Sequence, residues 1–138
     1  MSESRDDKAA LHRLGDALRQ QAGASGVITL DERGMRAMEE LVSDLTGEKG
    51  IPMLKLHRDA PTRFRLQRTG RNAEVTVEWQ RDIGAIVVLG DYLGQRKFQR
   101  LFVYDPNEAR WRRMDGVRGL YEELTDALTE VLFPEVRR

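Results

Sequence analysis

"TRFRLQRTGRNAEVTVEWQ", residues 62–80, is the stretch on which the fold turns. Two alternating runs flank Gly70. In the first, Phe64 and Leu66 share one side, with Arg63, Arg65 and Gln67 on the other. In the second, Val75, Val77 and Trp79 stand against Glu74, Thr76 and Glu78. A period of two is the signature of a strand with one face in a core. Gly70-Arg71 suits a two-residue hairpin turn, with Gly at the first central position of type II′. That register sets Leu66 opposite Val75 and Phe64 opposite Val77. On the other face it sets Arg63 opposite Glu78, Arg65 opposite Thr76 and Gln67 opposite Glu74. A slip of one residue would mix the two faces, so this pairing is the expected one.

The pattern extends outward in both directions. "MLKLHR" (53–58) reads as a short strand, closed by Asp59-Ala60-Pro61. After Trp79, "RDIG" (81–84) is a four-residue turn into "AIVVL" (85–89). Trp79 then meets Ile86 and Val77 meets Val88, while Val87 and Leu89 fall on the charged face. "RKFQRLFVY" (96–104) and "ARWRRM" (109–114) form the next hairpin through Asp105-Pro106-Asn107-Glu108, with Pro at the second position of a type I turn. This turn predicts Phe102 opposite Trp111, Arg110 opposite Val103, Arg112 opposite Leu101 and Arg113 opposite Arg100. Phe98, Phe102 and Tyr104 take the apolar side.

Helical spacing appears only at the two ends. Leu11, Leu14 and Leu18 form a narrow stripe, with Ser4 as a cap and "GASG" (23–26) as a break. Thr29 and Glu32 have capping-box spacing ahead of Met35, Met38, Leu41, Val42 and Leu45, and Gly47 stops that helix. Asp115 is the expected N-cap of a last helix carrying Leu120, Leu124, Leu128 and Val131. Helices and strands come in runs without alternation, which predicts α+β. The expectation is one domain over residues 1–138: an antiparallel sheet of five to six strands with two N-terminal helices and a C-terminal helix packed on it. Residues 1–4 and 135–138 are expected to be flexible ends.

Composition narrows the chemistry. The chain has no cysteine and only two histidines, His12 and His57, which excludes thiol catalysis and Cys-based metal sites. Its few serines lie in no nucleophile motif, and no glycine run resembles a phosphate loop. No catalytic set, metal or cofactor is therefore expected. The polar N-terminus resembles no signal peptide, and the longest apolar run is "AIVVL", so a cytoplasmic protein without a membrane partner is expected.

Charge is balanced overall but segregated. Residues 1–50 carry a net −3, residues 51–114 a net +6 and residues 115–138 a net −3. The basic centre and the apolar residues on the charged sheet face together define the candidate site. Val87, Leu89, Leu101 and Val103 form an apolar strip flanked by Arg63, Arg65, Arg110 and Arg112. Apolar side chains on a polar sheet face call for a cover, supplied either by the N-terminal helices within the chain or by a partner, and arginine around an apolar centre is interface composition. The expected role is non-catalytic protein–protein interaction, of adaptor, chaperone or immunity type, with homodimerisation through the sheet face as one form. The alternative is nucleic-acid binding through the arginine face.

Overall fold

A computed structural model describes residues 9–14, 28–48 and 50–136. The chain runs helix α1 (Leu30–Thr46), strands β1 (Leu54–Ala60), β2 (Arg63–Arg68), β3 (Ala73–Gln80), β4 (Ala85–Tyr92), β5 (Gln95–Asp105) and β6 (Arg110–Arg113), then helix α2 (Leu120–Val131). The strands form one antiparallel meander in the order β1-β2-β3-β4-β5-β6. This is the α+β architecture that the run of hairpins predicts. Residues 9–14 are helical, with Leu11 and Leu14 exposed. The expected cap at Ser4, Leu18 and the "GASG" break lie outside the described residues.

Both long helices pack on the same sheet face, because only one face is continuously apolar. Met38 and Leu41 of α1 and Leu120, Leu124, Ala127, Leu128 and Val131 of α2 join one core. That core also holds Phe64, Leu66, Val75, Val77, Trp79, Ile86, Val88 and Phe102. Helix α1 begins as its sequence dictates: the Thr29 hydroxyl accepts the Glu32 N–H at 3.2 Å. It ends at Gly47, whose N–H donates to the Ser43 carbonyl. Helix α2 starts later than expected. Its N-cap is Gly119, not Asp115. Asp115 is drawn away by Arg113, whose Nε lies 2.9 Å from its carboxylate. Residues 114–119 instead fold back along β6, where the Arg113 N–H donates to the Arg118 carbonyl.

The register around Gly70 is the expected one, Arg63 to Glu78 through Leu66 to Val75. The turn differs in detail. The Arg71 N–H donates to the Arg68 carbonyl, so Gly70, at φ +80°, is the third residue of that turn. A type II turn requires positive φ at this place. The second hairpin register, Trp79 to Ile86 and Val77 to Val88, is also as expected.

The β5–β6 register is a correction. Tyr104, not Phe102, faces Trp111; Arg112 faces Val103, Arg110 faces Asp105, and Arg113 faces Phe102 rather than Arg100. The Asp105 carboxylate accepts the N–H groups of Asn107 and Glu108, which makes Asp105 the first residue of the turn. Ala109, at φ +52°, is then needed to close the loop. The shift is two residues in pairing, so each side chain stays on its expected face. An alanine in the left-handed region costs about 1–2 kcal/mol, partly offset by the extra chain entropy of glycine. Ala109→Gly is expected to raise stability by about 0.5–1 kcal/mol, read as a higher urea midpoint with an unchanged slope.

Gly34 is the closest approach of helix to sheet. A Cβ there would lie 2.3 Å from the Trp79 ring. That ring cannot yield easily, since its indole N–H donates to Asp31 at 2.8 Å and it makes a T-shaped pair with Trp111. Helix propensity favours alanine over glycine by about 1 kcal/mol, whereas overpacking costs about 1–3 kcal/mol or more. Gly34→Ala should therefore destabilise, lowering the melting temperature, although the same change on an exposed helix face would raise it.

Candidate protein-interaction face

The face of the sheet opposite the helices carries alternate residues of strands β2 to β6. Strand β2 contributes Arg63, Arg65 and Gln67; β3 contributes Glu74, Thr76 and Glu78; β4 contributes Val87 and Leu89; β5 contributes Leu101 and Val103; β6 contributes Arg112. Among the described residues neither long helix covers it, because both lie on the apolar side.

The expected strip is present but not uniformly open. Val87 pairs with Glu78 on one side and Leu101 on the other and is only 2% exposed. Leu89, Leu101 and Val103 are half-buried. Leu101 and Val103 are therefore the accessible centre, with Val87 as their support.

Its arginines are held by acids. Arg65 pairs with Asp59 at 2.8 Å and Glu74 at 3.1 Å; Arg63 reaches Asp59 at 3.6 Å and Glu78 at 3.7 Å. Gln67 donates to the same Glu74 at 2.7 Å. Arg112 pairs with Asp105 at 3.2 Å, and Arg96 with Asp91 at 2.6 Å, at the far end of β4. Asp59 owes its place to a register shift between Arg58 and Ala60. No cross-strand rule applied to the sequence reveals it as the shared partner of Arg63 and Arg65.

Arg110 is the exception among the expected residues. Its strand position is on this face, but β6 is the outermost strand and a long side chain there can turn round the edge. It donates to Glu108 and to the Val117 carbonyl, and it lines a cleft with Ala37 and Gly119 on the helical side. Arg110 is thus withdrawn from the face to which its register assigns it.

The basic centre is also neutralised on the helical side, by a residue that sequence reasoning missed. Glu123 of α2 is 4% exposed and receives three guanidinium groups: Arg100 at 3.3 Å, Arg113 at 3.2 Å and Arg118 at 3.2 Å. The expected register set Arg113 against Arg100, a like-charge pair needing an acid or a different register; Arg113 faces Phe102 instead, and both arginines reach Glu123. Its position on α2, ten residues beyond Arg113 and on a different element, was not deducible from local spacing. Arg68 likewise pairs with Glu135, in the 3-10 turn Pro134–Val136, and donates to the Leu132 carbonyl at 2.9 Å.

These pairs set the protonation of their carboxylates. The hydrogen bonds from Arg65 hold Asp59 below the usual aspartate range, helped by the charges of Arg65, Arg63 and His57. The hydrogen bonds from Arg113 do the same for Asp115, and those from Arg58 for Glu39. Burial pushes Asp105 up, but the backbone N–H groups of Asn107 and Glu108, with Arg112, bring it below its ordinary value. A carboxyl whose pKa is lowered by folding adds stability above its unfolded pKa of about 4 and loses it as pH falls through the folded value. Urea midpoints should therefore fall below about pH 4, with a shallower fall in Asp59→Asn.

Removing Glu123 tests the other network. Glu123→Gln leaves three guanidinium groups without their shared charge, but these are partly solvated and can rehydrate. A loss of about 1–3 kcal/mol in unfolding free energy is expected. An Arg118→Gln variant should cost much less, because Arg118 is about half exposed and Glu123 keeps Arg100 and Arg113.

Comparison of the chain with protein-family models, with curated proteins and with solved structures returned no match. Among the described residues, no helix is long and apolar enough to cross a membrane.

Proposed function

We propose that this protein is a non-catalytic interaction module whose outer sheet face binds another polypeptide, with a second copy of the chain as the first occupant to test. One observation carries the reading: the arginines that line this face are each paired with a carboxylate of the same face. Phosphate binding needs uncompensated cations, whereas this face presents balanced, alternating charge around Leu101 and Val103. A surface with both signs and an apolar centre is self-complementary about a two-fold axis, arginine of one copy meeting acid of the other. A larger adaptor- or chaperone-type partner would use the same centre.

The test uses Leu101→Glu together with Val103→Glu, both at half-buried positions. Light scattering across a concentration series should give a dimer for the native chain and a monomer for the double variant, with melting unchanged. A photo-crosslinking amino acid at Leu101, introduced in the native host, should give a discrete polypeptide adduct. A native chain that stays monomeric and forms no adduct overturns the reading. Tight binding of labelled single- or double-stranded oligonucleotides, falling steeply with salt, would replace it with nucleic-acid recognition.

A further inference from the structure

We propose that the cleft between helix α1, the β5–β6 hairpin and the start of helix α2 binds a small organic monoanion, with the anion at Arg33 and Arg36 and an apolar, aromatic-sized body against Trp111 and Leu120. This cleft lies on the helical side of the sheet, so its assignment is independent of the outer-face reading.

The cleft consists of two adjoining cavities, of about 360 Å³ and 220 Å³, which share Ala37, Glu40, Ala109 and Trp111. The larger lobe is floored by Ala37, Gly119 and Leu120 and walled by Trp111. Its volume is at the lower end of small-molecule sites. The smaller lobe carries Arg33, Arg36 and Tyr104. An apolar lobe opening into a cationic one matches a ligand with an apolar body and one negative end.

The two cations are the informative part. Arg58, Arg63, Arg65, Arg68, Arg81, Arg96, Arg100, Arg110, Arg112, Arg113 and Arg118 all have a carboxylate within ion-pair distance. Among the described residues Arg13, Arg33, Arg36 and Arg71 have none; Arg71 donates to the Val131 carbonyl instead, and Arg33 and Arg36 line one lobe together. Arg33 is nevertheless fixed. Its guanidinium lies 4.4 Å from the Tyr104 ring centre and donates to the Tyr104 hydroxyl at 2.9 Å. An arginine oriented by an aromatic ring rather than by an acid keeps its charge and most of its five N–H donors for a ligand. Arg36 follows on the same helix, three residues on and exposed.

The walls are rigid. Trp111 makes a T-shaped pair with both Trp79 and Tyr104, with ring centres 5.6 Å apart in each pair. Ala109 lines both lobes with its backbone at φ +52°, a conformation that alanine rarely adopts and that recurs at ligand clamps. Glu40 lines both lobes as well, and Glu122 borders the larger one. Arg110 also lines the larger lobe, but Glu108 meets its charge, so the two acids disfavour a second negative charge on the ligand and can accept an N–H from its body. Hence the assignment is to a monoanion, an indole carboxylate being the simplest probe with all three features.

Calorimetric titration of the intact protein with indoleacetate and with its neutral analogue indoleacetamide tests this. The acid should bind at least about tenfold more tightly than the amide, the value of one charge-assisted contact pair. Arg33→Gln with Arg36→Gln should bring the acid down to the level of the amide and leave the amide unchanged. Should that double variant not fold, Arg36→Gln alone, at an exposed position, should still narrow the ratio. The Trp111 indole N–H resonance should shift on titration. Equal affinity of acid and amide, no binding of either at millimolar concentration, or shifts confined to residues outside the cleft would each overturn the proposal.

Discussion

The Trp79 indole lies where helix α1, the sheet and the β5–β6 hairpin meet. Its ring fills the space that Gly34 leaves in the helix, its N–H is fixed by Asp31, and it makes a T-shaped pair with Trp111. Strand β3 places it opposite Ile86. Three independent kinds of contact converge on one side chain, so the distance between helix and sheet is set there. The rest of the core, from Met38 to Leu128, fills the volume that this spacing defines.

A second constraint follows from the one-sided sheet. With α1 and α2 on the apolar face, the described residues of the other face satisfy one another. They do so with cross-strand arginine–carboxylate pairs around a few aliphatic side chains. Exposed pairs of this kind contribute little each to stability. They also convert a basic stretch of sequence into a surface of balanced charge. The same logic operates on the helical side, where Glu123 gathers Arg100, Arg113 and Arg118 and ties α2 to β5 and β6. Among the described residues Arg33 and Arg36, like Arg71, pair with no acid, and Arg33 and Arg36 line one cleft.

Much of the fold was legible before any coordinates. Hairpin register was readable for β2 to β4 because both faces of each strand carried distinguishable chemistry. It failed for β5–β6 because Ala109, read as a strand residue, takes a left-handed conformation and joins the loop, so that Asp105 pairs with Arg110. The Asp115 cap failed for another reason: Arg113 competes for the same carboxylate. For the candidate face, the sequence placed Arg63, Arg65, Leu101 and Val103 together. It could not show that Val87 is shielded or that Arg110 turns away round the edge.

The sequence by itself determined the α+β class, the meander of hairpins, the face to which each strand residue belongs, and the N-terminus of α1. These follow from periodicity and from local hydrogen bonding, which act over a few residues. Only the tertiary structure decided which acids neutralise which arginines, that α1 and α2 share one face, and that the β5–β6 hairpin and the two helices enclose a cleft. Those outcomes depend on side chains far apart in the chain, such as Arg100 and Glu123 or Arg33 and Tyr104, and no local pattern encodes their meeting.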